Sequence, residues 1–186
     1  MSISLLLEMA VSGGPDRTAV VSDDLRLTTD ELSALADGGS GVIAASGAGH
    51  VAYVGTGGAL LPLLLFASAR AAVPFTPLNY RLSRDGLHEL IERLPEPLVV
   101  ADAEYADVVA GAGKQVITSE EFLTAARTAE PAAEFADPDA VAVVLFTSGT
   151  TSRPKAVELT HNNLTSYITG TVEFGSAAQE DAALIC

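Results

Sequence analysis

From Val51 to Ala69 the chain carries no charged residue, a run about as long as the ~20 residues that a membrane-crossing helix requires. Its interior points elsewhere. Gly55-Thr56-Gly57-Gly58 lies in the middle and Pro62 follows, so the run parses as a buried strand, a glycine turn and a buried helix. That reading dispenses with a transmembrane segment and leaves a strand and a helix that both need cover.

The neighbouring sequence repeats the scheme. Val51–Val54 reads as a strand, Ala59–Ala71 as a helix and Val73–Pro77 as an extended segment. Ser83 caps a helix in which Leu87, Leu90, Ile91 and Leu94 share one face, with Pro95 at its end. Leu98–Ala101 reads as a buried strand, Glu104–Ala110 as a short helix, Gln115–Thr118 as a strand, and Glu120–Thr128 as a helix with a Thr118/Glu121 capping box. Upstream, Thr18–Ser22 and Leu25–Leu27 form a hairpin around Asp23-Asp24, and Thr28 with Glu31 caps a helix carrying Leu32, Leu35, Ala36, Gly39, Val42 and Ile43 on one face. Gly38, Gly39 and Gly41 weaken that helix, each by about 1 kcal/mol against Ala. The alternation predicts an α/β fold with a largely parallel sheet and flanking helices.

Composition narrows the function classes. Hydrophobic residues make up 48% of the 186 and charged ones 18%, which fits a globular interior. A net charge of -14 gives little attraction for nucleic-acid phosphates, so no nucleic-acid partner is expected. Cys186 is the single cysteine, so no intrachain disulfide can form, and a reducing, cytoplasmic setting is the expectation. The first residues, Met1 to Glu8, have no basic region and only a short apolar run, and they read as an amphipathic helix rather than a signal peptide. Ala129–Pro138 is linker-like, and Ala182–Cys186 reads as the opening of a further strand, as though the chain were cut there.

After the apolar strand Val141–Phe146 comes Thr147-Ser148-Gly149-Thr150-Thr151-Ser152-Arg153-Pro154-Lys155. These nine residues hold five hydroxyls, one glycine and two cations. Between Thr147 and Thr160, Arg153 and Lys155 outweigh Glu158, a basic island in an acidic chain. A polyphosphate needs such hydroxyl donors, close backbone N–H groups and a cation. The nucleotide-triphosphatase loop G-x-x-x-x-G-K-[ST] does not fit, because Pro154 precedes Lys155 and Ala156 follows it. Ala156–Leu159 reads as a second strand, and Thr160 as the cap of a helix running to about Glu173.

The segment resembles the phosphate-binding signature of the adenylate-forming, acyl-activating enzymes, T-S-G-T-T-G-x-P-K-G-V followed by T-H-x-N. Thr147–Thr151, Pro154-Lys155, Val157 and Thr160-His161-Asn162-Asn163 agree in identity and spacing. Leu27-Thr28 with Glu31-Leu32, Ala71-Ala72-Val73-Pro74 and Pro77–Ser83 resemble the family's N-terminal segments. The resemblance implies that residues 1–186 are the N-terminal portion of an AMP-binding domain, without the rest of the large domain and the C-terminal domain, and inactive alone. It implies ATP and Mg²⁺ as cofactors, a carboxylic acid (a fatty acid in the first instance) as substrate, and coenzyme A or a phosphopantetheine-bearing carrier protein as acyl acceptor. Lys155 is the implied catalytic cation, Thr147 the implied Mg²⁺ ligand, and Ser148, Gly149, Thr150, Thr151 and Ser152 the implied wrapping of the phosphates. Ser152 and Ala156 depart from two family glycines; if those positions need positive φ, a side chain costs roughly 1–2 kcal/mol. A degenerate, non-catalytic nucleotide-binding module is the alternative. Arg153 reads as a solvated side chain, His161 as structural, and His50 and His88 as structural or exposed.

Overall fold

The computed structural model describes residues 1–22, 25–132, 136–147 and 154–172. Helix α1 (Ser4–Gly13) leads into an antiparallel ribbon of β1 (Thr18–Ser22) and β2 (Leu25–Thr28); the expected Asp23-Asp24 turn lies outside the described residues. Thr28 then caps α2 (Thr29–Ser46) as the sequence predicts. Its Oγ1 accepts from the Glu31 N–H at 3.2 Å, and Glu31 Oε2 accepts from the Thr28 N–H at 2.8 Å.

The glycines of α2 do not break it, and their role differs from the expected weakness. A Cβ on Gly38 would collide with the Ala126 carbonyl, and one on Gly41 with the Glu130 carbonyl. A Cβ on Gly39 would sit 2.9 Å from the Ala67 Cβ and 3.1 Å from the Phe122 ring. The glycines let the backbone after the sixth helix close onto α2, so tertiary contact outweighs the propensity loss.

The remaining elements are β3 (His50–Val54), α3 (Leu60–Arg70), β4 (Phe75–Leu78), α4 (Arg84–Ile91), β5 (Pro97–Ala101), α5 (Ala103–Ala106), β6 (Gln115–Thr118), α6 (Ser119–Ala126), β7 (Val141–Thr147), β8 (Lys155–Thr160) and α7 (His161–Thr171). The helix expected over 104–110 is the single turn α5, followed by turns in which Gly111 and Gly113 have positive φ. The main sheet has strand order β6-β5-β3-β4-β7-β8. Every pairing in it is parallel except β7 with β8, which is antiparallel.

The uncharged run is β3, a turn and α3, with Pro62 in the first helical turn, where its missing N–H costs nothing. No helix among the described residues is long and apolar enough to cross a membrane. Strand alternation divides the core. Val51, Tyr53, Leu98 and Val100 pack with Leu32, Ile43, Leu63, Leu64 and Phe122 on one face of the sheet. Ala52, Val54, Val99 and Ala101 pack with Leu87, Leu90, Ile91 and Val109 on the other. Both faces of β3 and β5 are therefore dry, which explains why these strands read as unbroken apolar runs.

Parallel strands place their C-terminal ends along one edge. Gly55, Asn79, Asp102, Ser119 and the end of β7 at Thr147 all emerge there. On one side of β3 lies β4 and on the other β5, so the winding reverses at β3/β5, the usual kind of position for a ligand crevice in such sheets.

Candidate active site

Strands β7 and β8 form a hairpin that carries the predicted phosphate loop at its tip. Thr147 closes β7, Lys155 opens β8, and the two are direct cross-strand partners. Thr147 Oγ1 donates to the Lys155 carbonyl at 3.4 Å, and both residues are exposed. Ser148, Gly149, Thr150, Thr151 and Ser152, together with Arg153, lie outside the described residues. The structure thus brings two of the sequence-predicted residues, Thr147 and Lys155, to the open end of one hairpin.

The departure at Ala156 carries no strain. It pairs with Phe146 within β8, and the only described non-glycine residues with positive φ are Ala72 at 54° and Glu96 at 44°. An extended strand accepts an alanine, so the 1–2 kcal/mol cost contemplated for this position does not arise. The departure at Ser152 falls outside the described residues.

After the hairpin, Thr160 caps α7 reciprocally with Asn163: Thr160 Oγ1 accepts from the Asn163 N–H at 3.1 Å, and Asn163 Oδ1 accepts from the Thr160 N–H at 3.0 Å. His161 is buried, and its Nδ1 accepts from the Ile3 N–H at 3.4 Å. Burial first, then the nearby N-terminal ammonium, holds its pKa below the ordinary imidazole value. Asn162 Nδ2 donates to Asp139 Oδ1 at 2.7 Å. These residues tie the helix behind the loop to the rest of the chain. His50 Nε2 lies 2.7 Å from Thr76 Oγ1 in the core, and His88 Nε2 lies 3.1 Å from the Val108 carbonyl. Neither histidine belongs to a metal-binding group among the described residues.

Two features at this edge were not singled out from the sequence. At the β3/β5 reversal, Asp102 accepts from Tyr53 Oη at 3.1 Å, from the Thr56 N–H at 2.9 Å and from Ser119 Oγ at 2.6 Å. Burial, reinforced by the Asp102 charge, raises the Tyr53 phenol far above its ordinary pKa, so it remains a donor. The glycine turn after β3 exists to permit this approach: a Cβ on Gly55 would strike the Asp102 carboxylate and Tyr53 Oη, and Gly57 has φ 99°. A polar residue directly after a buried strand was the available signal. The second feature is Arg93, beyond the end of α4, whose guanidinium reaches the hairpin. No local motif marks it.

The chemistry of the donor set is narrow. Thr147 offers one hydroxyl oxygen, and no cluster of carboxylates or imidazoles stands among the described residues to cage a cation. A single hydroxyl oxygen would fit only a hard cation that keeps most of its ligands as water or phosphate oxygens.

A parallel sheet covered on both faces, with a hydroxyl-rich, lysine-bearing hairpin at the C-terminal edge, is the frame of an adenylate-forming enzyme. Residues 7–186 match the family described as AMP-binding enzyme, and the chain belongs to it. It is 33% identical over 184 residues to a feruloyl-CoA synthase from Amycolatopsis sp, covering 92% of this chain and 36% of that protein. It is 27% identical to an indoleacetate–CoA ligase from Aromatoleum aromaticum, covering 99% of this chain and 40% of that one. The fold matches a fatty acyl CoA synthetase from Mycobacterium tuberculosis with a TM-score of 0.79 at 23% identity, over 92% of this chain and 38% of the other. The chain therefore spans little more than a third of the length of these three proteins.

Proposed function

We infer that this chain supplies the phosphate loop of a ligase that activates a carboxylic acid with ATP and passes the acyl group to a thiol. The observation that carries the reading is the pairing of Thr147 with Lys155 at the mouth of the hairpin, in a chain of the AMP-binding family. In the first step a carboxylate oxygen attacks the α-phosphorus, the bond to the bridging oxygen breaks, and pyrophosphate leaves. Lys155 is the residue positioned to neutralise the charge growing on that leaving group, and backbone N–H groups and hydroxyls of the loop assist. Mg²⁺, held in part by Thr147, would supply further charge neutralisation on the phosphates. The exposure of Lys155 leaves its ammonium free to follow the phosphates between steps.

The acceptor proposed is coenzyme A, in keeping with the named CoA relatives, with a carrier-protein phosphopantetheine as the competing acceptor. A fatty acid is the acid class that the family resemblance implies; the names of the feruloyl-CoA synthase and the indoleacetate–CoA ligase support aryl acids as the competing class. The reading assigns the acyl pocket and the C-terminal domain to regions other than residues 1–186, which are therefore inactive alone, and it places the enzyme in the cytoplasm.

The test is carboxylate-dependent exchange of labelled pyrophosphate into ATP, run on the full-length polypeptide that carries these residues with fatty, aryl and amino acids. Exchange with one acid class establishes adenylation and names the substrate class. Lys155→Ala should slow exchange about a hundredfold while leaving the melting temperature unchanged. No exchange with any acid, with ATP still bound, would establish the degenerate binding module instead.

A further inference from the structure

The stem of the hairpin is gripped from outside by a residue that belongs to no motif. Arg93 places its Cζ 4.8 Å from the centroid of the Phe146 ring. From Nη1 it donates to the Pro154 carbonyl at 2.9 Å. Phe146 is the penultimate residue of β7, and Pro154 immediately precedes β8. One guanidinium thus touches both legs of the hairpin where the loop departs from them.

Its own footing is firm. The Arg93 N–H donates to the Leu90 carbonyl at 3.2 Å and the Leu94 N–H to the Ile91 carbonyl at 3.0 Å. Leu90, Ile91 and Leu94 are all buried in the core beneath α4. Phe146 packs against that same core. The Pro154 carbonyl is the acceptor on the second leg.

We propose that Arg93 is the positioning residue of the phosphate loop, setting the separation of its two legs and thereby the aim of Thr147 and Lys155. The proposal rests on the reading of residues 147–155 as a phosphate loop. A planar guanidinium can stack on a ring and donate in its own plane at once, which an ammonium cannot reproduce. Displacing a catalytic cation by about 1 Å can cost up to about a hundredfold in rate.

The proposal separates two half-reactions. Acyl-adenylate formation handles the β and γ phosphates, whereas thiol transfer from a supplied acyl-adenylate involves neither. In the full-length polypeptide, Arg93→Ala should lower kcat for pyrophosphate exchange about tenfold or more. The KM for the acid and the rate of thiol transfer should stay within about twofold, the margin of an unaffected step. Arg93→Lys should recover part of the loss. Phe146→Leu should add little in the Arg93→Ala background, because both changes remove one contact. Exchange within about twofold of the parent, an equal fall in both half-reactions, or losses that simply multiply would each overturn the proposal.

A second readout needs no activity. In the full-length polypeptide, Arg93→Ala should speed amide hydrogen exchange at residues 155–158 by about tenfold while leaving β3 and β5 unchanged. Unaltered protection at 155–158 would overturn the grip even in an active enzyme. If the native protein exchanges no pyrophosphate with any acid, the phosphate-loop reading falls instead, and hydrogen exchange still decides whether Arg93 holds the stem.

Discussion

Strands β5 and β8 belong to one sheet and are built in opposite ways. All of Pro97–Ala101 in β5 is buried, with side chains committed to helices on both faces. In Lys155–Thr160 of β8 no residue is fully buried, and Val157 retains 41% of its exposure. Apolar burial on two faces places β5. By contrast β8 relies on its ladder with β7, on partly buried Leu159 and on the Arg93 contact just before its start. The proposed phosphate-loop residue Lys155 opens the strand with the least burial of its own.

Acid gives the largest test of this contrast. His50 starts the buried strand β3, and burial holds its pKa down at about 4, against an ordinary 6.5. Between those values the unfolded chain binds the proton and the folded chain does not, so stability should fall as pH drops from 6.5 to about 4. At about 1.4 kcal/mol per pH unit the loss is roughly 3 kcal/mol. Urea unfolding across that range should show the slope, and His50→Gln should flatten most of it; an unchanged slope would mean that the buried scaffold is not the acid-sensitive part.

Gly38→Ala sharpens the scaffold side. Helix propensity favours the change by about 1 kcal/mol, but the new Cβ meets the Ala126 carbonyl. Overpacking should win, for a net loss of about 2 kcal/mol in chemical denaturation. A stabilised variant would show that the contact between α2 and the end of α6 gives way easily. The smallest effect belongs to the hairpin: Val157→Ala should change stability by less than about 0.5 kcal/mol, since its side chain remains substantially in water. A loss comparable with Gly38→Ala would abolish the distinction between the two strands.

Much of this molecule was legible from local chemistry. Capping boxes at Thr28 and Thr118 and a cap at Thr160 mark helix starts, and all three caps are present. Apolar runs such as Leu98–Ala101 mark strands dry on both faces. The spacing of Thr147, Pro154 and Lys155 marks the loop and, through it, the family. Such features depend on neighbours a few residues apart, and the sequence by itself determined them.

Tertiary structure decided what distant residues do to one another. Gly38, Gly39 and Gly41 read as weak points of a helix until the backbone at Ala126 and Glu130 and the Phe122 ring arrive against them. Asp102 becomes the hub of the β3/β5 edge only because parallel pairing sets Ala101 beside Val54. Ala156 loses its presumed strain once its pairing with Phe146 makes it an extended strand residue. Arg93 meets Phe146 and Pro154 across more than fifty residues of chain, through the order in which β4 and β7 adjoin. Contacts of that kind depend on packing and strand order, quantities that exist only after the chain has folded.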